Sequence, residues 1–493
     1  MFPPSSNVVS AVSPALGRST ASGVLWLLMQ SLSGRIGSFV SQLVLAKLLM
    51  PQEFGAIGLA YTVATLANAL VGFGIDDILL QRFKTLHLWV FPAFWTSLGG
   101  GLIGMALMLA VAPAAARIYG NSDLVGLIVL LAVNLPIGAI ATIPVVRLRG
   151  ALNFRFLGGY ASIETLSVQI ATVVLALLGF GAYSFVVPLP IAAAVKAGIF
   201  WRKAPMRIRP RFRRVQFMHI VSSSFLVQGA RIVTEAVNQG DYIVLGLLAS
   251  SSTVGVYFFA FRLAAQPLWV MAGNFGSVLF PGLTQLRGDP ARQERAVLSA
   301  ARILAYTVTP LCFLQTALAS PLLHLMFGAK WNAAIPLVQI LSLGLPGDAT
   351  AWVSGALLGA RREFKRDFLY RLGFAIPFFV MVVTGAYFAS SLGVAIAVSL
   401  YYALVKPINS WLIMRDWIGR RDLLHIYVFP PAIAALAMGA AGAAARVSSH
   451  AVDQLVITAC LGPLIYLGLL RLFAPDTLHE ILDRFPLRRL RLR

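Results

Sequence analysis

The sequence predicts an all-α membrane protein that crosses the bilayer about fourteen times. Three observations lead to this prediction. Hydrophobic residues make up 58% of the 493 residues and charged residues only 12%, whereas a soluble surface needs roughly a quarter to a third of its residues charged. The apolar residues come in segments of about 20, the length of a membrane-spanning helix. The basic residues concentrate on alternate loops, as the positive-inside rule describes.

The apolar segments favour helices over strands, because a strand of a membrane barrel needs about ten residues and alternates in polarity. Residues 1–17 carry no basic residue, so the sequence predicts no cleavable signal peptide. Cys312 and Cys460 stand in apolar runs, which predicts neither a disulfide framework nor a metal cluster. The predicted spans are approximately 22–48, 54–78, 88–112, 123–146, 158–179, 183–203, 218–248, 254–280, 298–320, 332–358, 368–389, 392–414, 425–445 and 454–473.

The basic residues predict the topology. Thirty-one of the 40 Lys and Arg residues fall on one set of loops and tails, and only Lys47, Arg117, Lys330 and Arg446 fall on the other. This asymmetry predicts that both termini are cytoplasmic. The net charge of +22 is spread over every inner loop, so it does not form the single basic groove that nucleic-acid binding requires.

Weak internal similarity predicts two halves. At an offset of 200 residues, 42–61 matches 242–261 and aligns Gly55 with Gly255. At an offset of 210, Lys196 aligns with Lys406. Repeats of this kind are typical of transporters, whose substrates bind between the repeats near the midplane. We therefore predict an N-terminal six-helix bundle over 1–205, a C-terminal six-helix bundle over 206–414, and two further helices with a basic cytoplasmic tail over 415–493.

Five of the 40 basic residues belong to neither set of loops and lie in the interior of predicted spans, where each costs on the order of 2.5–3.5 kcal/mol at a helix centre. We expect them to line a cavity between the halves that binds an anionic substrate. Two alternatives stay open: Arg231 could pair with Glu235, one helical turn away, and the two lysines could extend toward the membrane surface. The candidate cavity cations are Arg35, Arg231, Arg262, Lys196 and Lys406.

Four acidic residues also fall within predicted spans. They could neutralise the cations, or they could bind a coupling proton or Na⁺, and both roles stay open. Asp348 follows a Leu-Pro-Gly sequence that loosens a helix and exposes backbone carbonyls. The four acids are Glu164, Glu235, Asp241 and Asp348.

Enzyme signatures are missing from the sequence. It contains no GxSxG, HExxH or Walker A motif. We therefore expect a transporter with no catalytic residue, metal or cofactor.

Four short motifs point to a known family. They are the run from Leu48 to Gly55, the pair Gly74-Ile75, the run from Leu279 to Leu283, and the basic and aromatic loop 147–156. On these residues the chain resembles the bacterial polysaccharide transporter family. These are the Wzx-type lipid-linked oligosaccharide flippases of the multidrug/oligosaccharidyl-lipid/polysaccharide (MOP) superfamily.

The resemblance implies a MATE-like fold in the bacterial inner membrane. It further implies alternating access that moves a polyprenyl-pyrophosphate-linked oligosaccharide to the outer leaflet for exopolysaccharide, capsule or O-antigen synthesis. Polysaccharide polymerase and export machinery would then be partners, beside membrane lipid. One alternative is a MATE-like drug or cation antiporter, which the presence of Arg35 and the absence of an acid in the first helix disfavour. The other is a membrane-embedded glycan polymerase or ligase, which the short external loops disfavour.

Overall fold

The helical bundle is known from a computed structural model. It describes residues 34, 37, 38, 40–71, 75, 79, 80, 83–151, 153–206, 225–448, 450–475, 477, 478 and 480.

The N-terminal half consists of helices that coincide with the predicted spans. The first span is described as continuous helix over 40–48 (α1), and most of its earlier residues, including Arg35, lie outside the described part. The other five helices are α2 (Pro51–Val71), α3 (Leu86–Ile118), α4 (Asp123–Gly150), α5 (Phe154–Leu177) and α6 (Tyr183–Lys203).

The C-terminal half contains helices interrupted within the predicted spans. They are α7 (Phe225–Leu248), α8 in two segments (Ser251–Ala264 and Gln266–Gln285), α9 (Pro290–Phe327), and α10 in two segments (Ala334–Gly344 and Pro346–Arg361). The stretch Phe364–Met414 kinks at Ala389 and Ser390, which separates α11 from α12. The last two helices are α13 (Arg420–Ala445) and α14 (Ala451–Phe473).

Prolines account for two of the irregular turns. A wide π-helical turn, Tyr401–Val405, precedes Pro407 in α12, and another, Leu424–Val428, precedes Pro430 in α13. Proline lacks an N–H and its ring clashes with the carbonyl one turn earlier. A locally wider turn accommodates both effects, and such turns are frequent at functional sites.

The two halves meet at one end of the bundle, which we call the sealed end. There the turns α1–α2, α7–α8 and α9–α10 come together. The indole Nε1 of Trp331 donates to the carbonyl of Ala46 at 2.8 Å, and the Trp331 ring packs 5.3 Å from Phe54 and 4.2 Å from Phe259 between ring centroids. These residues are among the largest fully buried side chains, so this end is closed.

Two glycines allow the closest approach at the sealed end. A Cβ at Gly255 would overlap the carbonyl oxygen of Pro51, and one at Gly55 would overlap the carbonyl of Ser251. Gly55 and Gly255 are the pair aligned by the internal repeat. The backbones of α2 and α8 therefore touch where the repeat predicts equivalent residues, and only glycine fits there.

Nine helices among the described residues are long and apolar enough to cross a membrane. Five features account for the difference from fourteen: the first span is described only in part, three charged residues interrupt the apolar character of α7, α8 and α10 are each divided, and α11 and α12 count as one continuous helix. Each predicted span nevertheless coincides with helix wherever the structure describes it. The fold class, an all-α polytopic membrane protein, is confirmed.

Candidate functional site

A cavity of about 610 Å³ lies beyond the sealed end, between α2 of the first half and α7, α8, α10, α11 and α12 of the second. Its wall contains three cations, two carboxylates and several aromatic rings. The charged lining residues are Glu235, Arg262, Asp348, Arg371 and Lys406. The cavity therefore brings together two of the predicted cations and two of the predicted acids.

Three of the lining residues form a connected chain. The Lys406 Nζ lies 3.0 Å from Oδ1 of Asp348, and the other oxygen, Oδ2, accepts a hydrogen bond of 3.0 Å from the indole Nε1 of Trp352. The ammonium also lies 5.6 Å from the ring centre of Tyr402. Lys406 therefore pairs with an acid in the cavity wall instead of extending to the membrane surface.

Arg371 is a cavity residue that the sequence analysis assigned to an inner loop. Its Nε donates to both oxygens of Asp367 at 2.9 and 3.0 Å, and its Nη1 donates to the Thr234 hydroxyl at 2.8 Å. The helix α11 begins at Phe364, so Arg371 lies two turns inside it. The i,i+4 spacing of Asp367 and Arg371 predicts their ion pair, but not the contact of Arg371 with α7.

Arg262 differs from the other two cations because it has no acidic partner among the described residues. Its guanidinium carbon lies 5.4 Å from the ring centre of Phe258, one turn earlier in α8. Its Nε is buried and has no hydrogen-bond partner in the described part of the chain. A partly exposed guanidinium whose Nε is buried without a partner is poised to bind an anion, because an unmade hydrogen bond to a charged group is costly.

Glu235 is an acid of the cavity wall that, like Arg262, has no charged partner among the described residues. It lines the cavity from α7, and no ion pair or hydrogen bond to it is found among the described residues. Arg231, one turn earlier, is exposed and does not line the cavity. The structure thus places Glu235 at the cavity and Arg231 outside its wall.

Asp241 lies behind the cavity wall. Its side chain is 2% exposed, and its Oδ2 accepts a hydrogen bond of 2.8 Å from the Tyr257 hydroxyl. The neighbouring Tyr242 separates it from the cavity, which Tyr242 lines. Asp241 is therefore satisfied by a hydroxyl, with no cation within 4 Å among the residues described.

The remaining predicted pair lies apart from the cavity. Lys196 of α6 and Glu164 of α5 form an ion pair of 3.0 Å whose side chains are 34% and 22% exposed. The two charges compensate each other at the periphery of the first half. Lys196 and Lys406, equivalent by the repeat, thus have different surroundings.

The cavity is chemically suited to an anion with polar substituents. Two of its cations are engaged by carboxylates, which leaves Arg262 as a hydrogen-bond donor and Glu235 as an acceptor. A guanidinium binds phosphate oxygens in a bidentate manner. Groups of three or more metal-ligating side chains do not occur in the described part of the chain.

Two curated proteins show sequence similarity over much of the chain. A succinoglycan biosynthesis transport protein of Rhizobium meliloti is 29% identical over 64% of this chain and 64% of its own length. The lipopolysaccharide biosynthesis protein WzxC of Escherichia coli is 22% identical over 80% of this chain and 82% of its own. The chain therefore spans slightly less than two thirds of the first relative and most of the second.

Solved structures show the same fold. The lipid II flippase MurJ, in an inward closed conformation, superposes with a TM-score of 0.73 at 15% identity, over 92% of this chain and 100% of that one. An inward-facing MATE multidrug resistance transporter of the MOP superfamily gives 0.63 at 15% identity, over 81% and 98%. These similarities establish the fold, that of a multi-pass helical membrane protein.

A family model confirms the resemblance found in the sequence. The model for polysaccharide biosynthesis proteins matches residues 44–336, more than half of the chain. The matched region contains α2 to α9 and ends within α10, so it includes both Gly55 and Gly255 and the cavity residues Glu235 and Arg262. The chain belongs to the polysaccharide biosynthesis protein family.

Proposed function

We propose that this protein is a flippase for polyprenyl-pyrophosphate-linked oligosaccharides. It moves the repeat unit from the inner to the outer leaflet of the bacterial inner membrane, for synthesis of a surface polysaccharide. The observation that carries the proposal is Arg262, which lines a cavity between the two halves and whose buried Nε has no hydrogen-bond partner among the described residues.

A pyrophosphate needs such a group in a membrane, because its charge is strongly disfavoured away from water. Arg262 supplies a bidentate donor, and its own cost of burial is offset when a phosphate binds. Arg371 and Lys406 add positive potential, although Asp367 and Asp348 partly neutralise them. The ligand's headgroup would occupy the cavity and its lipid tail would stay in the bilayer.

The closed end fits alternating access. The 31-to-4 distribution of basic residues assigns the sealed end to the outside and both termini to the cytoplasm. In this orientation the cavity lies on the cytoplasmic side of the seal, where a lipid-linked repeat unit would enter. The opposite state would require the contacts around Gly55, Gly255 and Trp331 to open.

The energy source in this proposal is an ion gradient, with no bound cofactor. Glu235 is a carboxylate in the cavity with no partner among the described residues. Binding of a proton or Na⁺ there would change the charge of the cavity between loading and release of the substrate. Relatives named for polysaccharide transport are consistent with the substrate class.

The test is a transport assay with purified protein in proteoliposomes. The probe is a polyprenyl pyrophosphate that carries a fluorescent disaccharide, and a membrane-impermeant quencher reports the fraction in each leaflet. We expect the wild type to move the probe and Arg262→Ala to slow it at least tenfold. Arg262→Lys should recover activity only in part, because lysine keeps the charge but loses the bidentate geometry.

A matched control uses Arg202, an exposed arginine at the end of α6. Arg202→Ala should transport the probe at the wild-type rate. Normal transport by Arg262→Ala would remove the phosphate-binding role. Failure of the wild type to move the probe, together with transport of an organic cation, would favour a MATE-like antiporter instead.

A further inference from the structure

The aromatic part of the cavity wall has no role in binding a phosphate. Trp269 of α8 and Trp352 of α10 both line the cavity, together with Tyr61 of α2. Trp352 is 38% exposed. An aromatic ring that faces a water-filled cavity keeps an apolar surface in contact with water, which is unfavourable unless a ligand covers it.

The orientation of Trp352 is fixed by its neighbours. Its indole Nε1 donates to Asp348, which is in turn held by Lys406. The polar atom of the indole is therefore satisfied within the protein, and the ring needs only an apolar partner. Lys406 and Asp348 act in this arrangement as positioning residues for Trp352.

Hydrogen-bonding groups lie beside the rings. Glu235, Asn238 and Gln239 line the cavity from α7. Asn238 is exposed, and Glu235 has no partner among the described residues. A wall that combines flat rings with carboxylate and amide groups matches a pyranose, which has an apolar C–H face and an edge of hydroxyl groups.

We infer that Trp352, Trp269 and Glu235 form a subsite for sugar rings beside the phosphate-binding Arg262. The ring of Trp352 covers the C–H face of a pyranose, and the Glu235 carboxylate accepts hydrogen bonds from its hydroxyls. This inference rests on the proposed function, which supplies the pyrophosphate end of the substrate. It adds that the sugars closest to the pyrophosphate are themselves recognised, by the second half of the chain.

The test compares binding of two probes to the full-length protein in nanodiscs. One probe is a short polyprenyl pyrophosphate without sugar, and the other is the same lipid carrying a disaccharide of hexoses. We expect Trp352→Leu to raise the Kd of the sugar-bearing probe at least tenfold and that of the sugar-free probe less than twofold. Trp352→Phe keeps a ring face and should retain most of the affinity for the sugar-bearing probe.

Two further variants complete the design. Trp411→Leu is the matched control, because Trp411 of α12 is 40% exposed and lies outside the cavity wall; it should bind both probes like the wild type. Arg262→Ala should raise the Kd of both probes by the same factor. If Arg262→Ala leaves both Kd values unchanged, that result contradicts the proposed function and not the sugar subsite. Equal loss for both probes in Trp352→Leu, or unchanged affinity for the sugar-bearing probe, would overturn the inference.

Discussion

The contact between Gly55 and Gly255 should control the balance between the closed and open states of the proposed flippase. In Gly255→Ala the new methyl group would overlap the carbonyl oxygen of Pro51 and lie 2.7 Å from the backbone nitrogen of Gly55. These atoms belong to a helix backbone and cannot rotate away, so α2 and α8 must separate by on the order of 1 Å to reach ordinary contact. Such overpacking typically costs about 1–3 kcal/mol.

This cost falls on the closed state alone, because the open state separates the two helices. A bias of about 1–3 kcal/mol shifts the ratio of open to closed molecules by roughly 5- to 150-fold. Ala46 is fully buried at the sealed end, and a cysteine there reports opening. We expect Gly255→Ala to raise the rate at which a water-soluble maleimide labels Ala46→Cys by that factor, in a background without Cys312 and Cys460.

The control is Gly468→Ala in α14, because a methyl group there meets no other atom within 4 Å. Its labelling rate should equal that of the parent. A thermal unfolding scan of each variant separates opening of the seal from loss of the fold. Unchanged labelling in a folded Gly255→Ala variant would show that the glycine contact does not hold the seal, and the reasoning would be refuted.

Three further predictions concern charge and topology. Lys406→Met should lower the free energy of unfolding by about 2 kcal/mol, less than for a fully buried pair because both side chains are partly exposed. Adding Asp348→Asn should restore much of the thermal stability, because it removes the unpaired charge and keeps an oxygen that accepts from the Trp352 indole. Lys196→Met should change stability by less than about 1 kcal/mol and leave transport unchanged, because its pair with Glu164 is peripheral; a tenfold loss of transport would place it in the substrate path. A reporter fused near Pro210 should be cytoplasmic and one near Gly120 external; finding both on one side would reject the topology.

The helices could be predicted from the sequence because each needs only local information. An apolar segment of sufficient length fixes a span, and the basic residues at its ends predict its direction. The positions at which helices break are also local in part. Pro346 begins the second segment of α10, and Pro407 follows the wide turn in α12.

The cavity could be predicted only in part, because its residues come from different helices. The repeat aligned Lys196 with Lys406 and suggested equivalent roles. At the same offset of 210, however, Asp348 aligns with Gly138 and Trp352 with Thr142. The first half therefore lacks the acid and the indole that engage Lys406, and Lys196 pairs with Glu164 instead. The repeat therefore predicts equivalent backbone positions, but it does not predict equivalent side-chain partners.

The sequence also does not predict how far inside a helix a basic residue lies. The charge-based analysis placed Arg371 with the inner loop because four other basic residues stand within eleven positions of it. The structure starts α11 at Phe364 and turns the Arg371 side chain toward Thr234 of α7. Which basic residue leaves the loop for the interior depends on a neighbouring helix, and that information is absent from local sequence.

The measurement closest to the central claim is an experimental structure of the protein with a bound lipid-linked sugar pyrophosphate. The Arg262 guanidinium should then lie about 2.7–2.9 Å from phosphate oxygens, as in charge-assisted hydrogen bonds. Density for the pyrophosphate elsewhere, with Arg262 unchanged beside Phe258, would contradict the claim that this arginine binds the substrate.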